Sequence, residues 1–261
     1  MLRVGEAEHA RVDDHLAAEE PLELRVDGEA LTVMMRTPGH DAELALGFLF
    51  GEGIIRRRAD ITAVTAIPNG EHPDLQNVVD LQLDPSAPGV DRRWQRNFLS
   101  ASSCGLCGVS SIEAIHQSAP PLEQPTWQVD PETLYGLEAK LRAEQAVFSR
   151  TGGLHAAGLF TREGNAVVVR EDVGRHNAVD KVVGFAVEQG LLPLDEHILM
   201  VSGRTSFEIV QKALQARIPI LVSVSAPSSL ARDLAQASNQ TLIGFLRGQH
   251  LNVYAGRQRL R

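Results

Sequence analysis

Between residues 154 and 246 short apolar runs alternate with stretches of helical periodicity, and this rhythm limits the fold more than any other feature. Two runs, 154–161 and 166–170, face each other across Glu163-Gly164-Asn165 and predict a hairpin. A helix over 177–189 follows, then strand 198–202, helix 206–217, strand 220–225, helix 228–237 and strand 241–246. Strands separated by helices of this length pair in parallel, which predicts an α/β layer structure. The strands are unbroken apolar runs, as expected where helices cover both faces of a sheet.

The first half has a different texture. Leu22, Leu24 and Val26 alternate, Asp27-Gly28 is a strong turn signal, and residues 31–36 return as the second arm of a hairpin. Thr37-Pro38-Gly39 breaks the chain. A helix then starts near Asp41, with Leu44, Leu46, Phe48 and Leu49 on its apolar face and Gly51 and Gly53 at its end. Strands are predicted at 61–67 and 78–83 around a loop at 68–73. A connector over 85–97, bearing Pro and Arg, leads to Cys104 and Cys107, a short helix over 108–116 and a breaker cluster of Pro120, Pro121 and Pro125. One helix over 131–148 bridges to the second half. The expectation is a smaller α+β subdomain over 1–130 that carries the cysteines, and an α/β domain with a mixed sheet over 131–261.

The formal net charge of −8 disfavours double-stranded nucleic acid, whose binding needs many cations against phosphate. No run of about 18 apolar residues exists, so no membrane span is expected. The start of the chain carries Glu6, Glu8, Asp13 and Asp14 and lacks a basic-then-apolar leader. A cytoplasmic location follows as the expectation.

The chain has only 2 Cys, within Ser103-Cys104-Gly105-Leu106-Cys107-Gly108. In a reducing compartment such a close pair is reactive or metal-binding more often than a structural staple. A helix starting near Gly108 would point its positive end at the thiols and lower a Cys pKa from about 8.5. A thiolate of this kind can attack a persulfide and carry the outer sulfur; a second thiol can then attack the carrier sulfur, releasing sulfide and leaving a disulfide. Zinc is the competing reading. It wants four ligands; no second Cys pair exists, and of the nine scattered His, His116, His155 and His176 could contribute. Two plain core residues are a third reading, opposed by the Ser- and Gly-rich setting. A zinc deaminase is disfavoured because His155-Ala156-Ala157 lacks the catalytic Glu and follows the cysteines instead of preceding them.

Polar loops punctuate the second half. In Thr151-Gly152-Gly153-Leu154-His155 the glycines permit close approach of a ligand or simply a turn. Arg170-Glu171-Asp172-Val173-Gly174-Arg175-His176-Asn177 lies between a strand and a helix, where ligands of α/β sheets bind. There Asp172 could fix a hydroxyl or orient His176, and Arg175 could meet an anion; caps and salt bridges are the alternative. Ser202-Gly203-Arg204-Thr205-Ser206 and Ser225-Ala226-Pro227-Ser228-Ser229 open two further helices and suit phosphate, although neither is a P-loop. Gly244-Phe245-Leu246-Arg247-Gly248 offers an aromatic face and a cation, or a core strand with an exposed end.

The Cys-Gly-Leu-Cys segment, Thr151 to Ala157, Glu171 to Asn177, Ser202-Gly203-Arg204 and Ser225-Ala226-Pro227 occur in the order seen in the formate dehydrogenase accessory sulfurtransferase (FdhD) family. The chain resembles that family from about Pro21 to Tyr254. The resemblance implies a sulfur carrier that takes persulfide sulfur from a cysteine desulfurase. It passes that sulfur to the molybdenum or tungsten bis-guanine-dinucleotide cofactor before insertion into formate dehydrogenase. Cys104 is then similar to the persulfide-bearing cysteine and Cys107 to its partner. Gly244, Phe245, Leu246, Arg247 and Gly248 resemble the cofactor contact, with Arg204, Ser225, Asp172 and His176 as further candidates on the strand ends. The implied fold is a cytidine-deaminase-like layered one and the implied assembly a homodimer. The cofactor is a bound client; no tightly held cofactor or metal of the chain's own is expected. The alternative is a zinc-binding or thiol-redox scaffold that escorts the cofactor without carrying sulfur.

Overall fold

The computed structural model describes residues 2–4, 9–11, 13–68, 77–90 and 119–261. Cys104, Cys107, the helix expected at 108–116 and the connector beyond residue 90 lie outside them. Strands β1 (Leu2–Val4) and β2 (His9–Arg11) pair as an antiparallel ribbon. The predicted hairpin forms from β3 (Glu20–Val26) and β4 (Glu29–Arg36). Its two turn residues, Asp27 (φ 52) and Gly28 (φ 83), both have positive φ, the condition for the tight turn that matches strand twist. Two side chains fix that turn: Asp27 accepts from Leu83 N–H at 2.9 Å, and Asp80 accepts from Gly28 N–H at 3.0 Å. With β5 (Ile61–Ile67) and β6 (Val78–Leu83) the hairpin completes a mixed four-stranded sheet of order β4-β3-β6-β5, in which β3 and β6 run parallel.

Helix α1 (Asp41–Gly51) follows β4. The expected single helix over 131–148 is instead three short ones: α2 (Pro131–Tyr135), α3 (Leu137–Ala143) and α4 (Ala146–Thr151). Leu134, Leu137 and Leu141 are buried at helical spacing, but α4 buries no residue, so nothing apolar holds it to the axis of α3. Gln145, at ψ 70, makes the break, and Gly152 in the left-handed region ends α4.

A six-stranded sheet follows: β7 (His155–Thr161), β8 (Ala166–Asp172), β9 (His197–Val201), β10 (Ile220–Ser223), β11 (Thr241–Arg247) and β12 (His250–Ala255), in the order β8-β7-β9-β10-β11-β12. Strands β9, β10 and β11 are parallel, while β7 is antiparallel to both of its neighbours. The covering helices are α5 (Arg175–Glu188), α6 (Phe207–Gln215) and α7 (Ser229–Ala237). The fold is therefore mixed α/β, as the sequence predicts, and it contains two mixed sheets.

One apolar core joins residues of both halves, among them Leu22, Leu24, Leu44, Leu49, Val179, Val183, Leu199 and Leu221. At its centre α1 and α5 touch backbone to backbone. A Cβ on Gly47 would lie 1.8 Å from the Asp180 carbonyl oxygen, and one on Gly184 would lie 1.7 Å from that of Glu43. On the other face of the sheet a second core packs α2 and α3 on Phe160, Met200, Ile243 and Leu246. Among the described residues no helix is long and apolar enough to cross a membrane.

Candidate functional site

The strand directions gather the polar loops on one edge of the six-stranded sheet. The carboxyl ends of β9, β10 and β11 lie there because these strands are parallel. Strand β8 ends on the same edge and β7 begins there, with His155 opposite Asp172 and Ala157 opposite Val201. The segments around 172–175, 202–206, 223–229 and 244–250 therefore share one rim with His155, as expected for a ligand site in an open α/β sheet.

Hydrogen bonds fix the rim. Ser202 Oγ accepts from Ala156 N–H at 2.9 Å. Thr205 N–H donates to Ala226 O at 3.2 Å and Ser228 N–H to Thr205 O at 3.0 Å, so the two serine-rich loops are zipped together. The Ser225 carbonyl accepts from Ser223 Oγ at 2.6 Å and from Phe245 N–H at 3.2 Å. Gly203 packs on the imidazole of His155, where a Cβ would approach Nδ1 to 3.1 Å. Gly244 sits where a Cβ would come within 2.9 Å of the Ser225 carbonyl oxygen.

The five-residue segment 244–248 divides by side. Phe245, at φ 54, is 37% exposed and Arg247 is exposed, whereas Gly244 is buried and Leu246 is closed off within the second core. Only Phe245, Arg247 and the backbone are presented outward. Arg204 is exposed and Arg175 half-buried, and both bear on His155.

Beside this rim lies a cavity of about 800 Å³, lined by His155, Ser202, Val224 and Gly248 from the sheet edge and by Gly152 and Gly153. The opposite wall is Tyr135, Arg142 and Phe148, with the Arg142 guanidinium 4.2 Å from the centre of the Phe148 ring. That wall was not foreseen in the sequence. The available signal was an Arg and a Phe shortly before the paired glycines.

In the polar run 170–177 the structure realises the reading of caps and salt bridges. Asp172 is fully buried and does not orient His176. Its oxygens accept from Thr37 N–H at 3.1 Å, Gly174 N–H at 2.8 Å and Asn177 Nδ2 at 2.9 Å, and meet Lys181 Nζ at 2.8 Å. Lys181 also donates to the Thr37 carbonyl at 2.9 Å, so the pair fastens the β4–α1 loop to the end of β8. Glu171 accepts from the N–H groups of Val147 and Phe148 at 2.9 and 2.8 Å and caps α4. His176 is buried, and its Nε2 lies 3.0 Å from Ser206 Oγ. Burial, with Arg175 and Lys212, pushes its pKa down to about 4, so the imidazole is neutral at ordinary pH. Burial and the guanidiniums of Arg175 and Arg204 also lower the pKa of His155, against a weaker opposing pull from Asp172. Among the described residues no three His, Cys, Asp or Glu side chains are grouped to hold a metal.

The chain matches the model of the FdhD/NarQ family over residues 17–261. It is 48% identical over 264 residues to the sulfur carrier protein FdhD of Streptomyces coelicolor, covering 100% of this chain and 94% of that one. Identity to the sulfur carrier protein FdhD of Mycobacterium tuberculosis is 49% over 253 residues, covering 94% and 91%. A crystal structure from Desulfotalea psychrophila, described as a formate dehydrogenase accessory protein, shares the fold at a TM-score of 0.81 and 24% identity, over 100% of this chain and 97% of that one. Matched from residue 17 to its last residue, the chain belongs to the FdhD/NarQ family.

Proposed function

We propose that this chain is a sulfur carrier in the maturation of formate dehydrogenase. The observation that carries the reading is near-half identity, over 94–100% of the chain, to relatives named sulfur carrier proteins. The chain has the chemistry for it, since Cys104 and Cys107 are its only thiols and stand three residues apart.

In the finer reading Cys104 takes sulfur from a cysteine desulfurase as a persulfide, and the chain acts as a sulfurtransferase. The thiolate of Cys107 then attacks the inner sulfur, the outer sulfur departs to the acceptor, and a Cys104–Cys107 disulfide remains. The acceptor is the cargo, a molybdenum or tungsten cofactor carrying guanine dinucleotides. The rim suits such cargo: Arg175, Arg204 and Arg247 are cations for phosphate, and Phe245 presents an aromatic face for a base. The contacts fall to Phe245, Arg247, Gly248, Arg204 and Ser225, with Gly244 and Leu246 shaping the turn from within and Asp172 and His176 acting from behind the rim. A deaminase-like layering is supported by the hairpin that places antiparallel β7 inside the sheet, with Ala157 where a deaminase has its acid. A homodimer, a cytoplasmic location and a division into an α+β subdomain over 1–130 and an α/β domain over 131–261, joined by one core, complete the proposal.

The test is intact-mass spectrometry after incubation with a cysteine desulfurase and cysteine. A one-sulfur adduct that is lost in Cys104→Ala is the expected result. Stoichiometric zinc without an adduct would replace the carrier by a metal-holding scaffold.

A further inference from the structure

Two strand-to-helix turns on the rim are built alike and differ in one hydrogen bond. Ser228 caps α7 with its own side chain, its Oγ accepting from Ala231 N–H at 3.2 Å. Ser206 stands at the same place before α6, in the same extended backbone (φ −90, ψ 171), yet caps nothing. Its Oγ is engaged by His176 on α5. Glu208, the acidic residue in the first turn of α6, also turns to His176, with Oε2 3.8 Å from Nε2. One helical turn further along both helices the pattern repeats, with Lys212 Nζ 2.5 Å from Asp180 Oδ1. These two rungs, each four residues apart on its helix, fix the rotation of α6 against α5.

A helix end left without a cap is a donor site for an anion. A second feature marks the same place. Thr205, directly before Ser206, is 1% exposed, and its Oγ1 has no hydrogen-bond partner among the described residues. A buried hydroxyl without a partner is costly, and it stands between two zipped loops beside the exposed Arg204.

We propose that His176 is a positioning residue: by engaging Ser206 Oγ it keeps the amino end of α6 open, so that the N–H groups of Glu208 and Ile209, with Arg204, receive a phosphate of the nucleotide cargo. This rests on the cargo reading above. The imidazole holds the hydroxyl through Nε2, and Arg204 supplies the positive charge for the anion. Without His176 the serine returns to its own helix and competes with phosphate for the same N–H groups.

The experiment is calorimetric titration of the full chain with guanosine diphosphate and, separately, inorganic pyrophosphate. His176→Leu is expected to weaken binding roughly five-fold, the equivalent of one serine cap. Ser206→Ala alone should stay within about two-fold of the parent, since the helix end remains open. Adding Ser206→Ala to His176→Leu should restore the lost affinity, an outcome that damaged packing would not give. His176→Gln, whose amide can still reach the serine, should bind like the parent. Should His176→Leu not fold, His176→Asn, too short to hold the serine, carries the same comparison. Equal weakness of the single and double variants, or unchanged binding in His176→Leu, overturns the role of His176 alone. A parent chain that binds neither probe overturns the cargo reading together with it.

Discussion

Lys181 Nζ meets Asp172 Oδ2 at 2.8 Å with both side chains closed to solvent, and this pair ties the loop after β4 to the end of β8. Removing one partner leaves an uncompensated charge in the interior. Lys181→Met is therefore expected to lower unfolding free energy by about 3–5 kcal/mol. Urea denaturation measures it; a loss below about 1 kcal/mol would show that the pair is merely tolerated.

The helix crossing gives a paired prediction. Gly47→Ala and Gly184→Ala each drive a methyl into a carbonyl oxygen that belongs to another helix, so neither can be accommodated by a side-chain rotation. Each should cost at least about 3 kcal/mol or prevent folding. Gly136→Ala is the control. Its backbone lies near the helical region, a Cβ there meets nothing closer than 3.8 Å, and it should be neutral or slightly stabilising. Thermal melting of the three variants separates them.

The segment 244–248 predicts opposite phenotypes for neighbouring residues. Phe245→Ala removes an exposed ring and should weaken guanosine diphosphate binding by roughly five- to a hundred-fold at unchanged stability. Leu246→Ala empties part of the second core and should cost about 2–5 kcal/mol of stability. Titration and melting of the same two proteins decide it, and matching phenotypes would contradict the alternation.

Acid–base behaviour offers a separate check. Burial raises the Glu52 carboxyl from its ordinary 4.5 to about 7, with Asp180 adding to the rise and Lys212 opposing it. A raised carboxyl favours folding while protonated, so its contribution is complete below pH 4.5 and is lost as pH rises through about 7. Glu52→Gln should gain stability relative to the parent across that window. His176 works in the other sense. Its depressed pKa gives stability that is present above pH 6.5 and lost as pH falls through about 4. Difference melting curves of each variant against the parent isolate each group, and a flat difference for Glu52→Gln would refute its placement.

Much of this was legible in the chain because periodicity reports on elements. The alternation from residue 154 onward gave the order of strands and helices as far as β11, though not β12, and Asp27-Gly28 placed its hairpin. The rim was legible too, because parallel strands must end on one side and the polar loops followed them. What the letters could not show was direction. Asp172 and His176 look as available as Arg175, yet the end of β8 buries Asp172, and α5 turns His176 inward and leaves Arg175 half-buried at the edge. The break at Gln145 was equally hidden, because it depends on α4 having no apolar floor beneath it.

Where Gly47 and Gly184 let two helices meet without side chains between them, the molecule has no cushion. Most helix pairs absorb drift by trading a larger residue on one side for a smaller one on the other. Here neither side has anything to trade, so the spacing of the first half from the second is inherited unchanged, and engineering of either half must begin by leaving that seam alone.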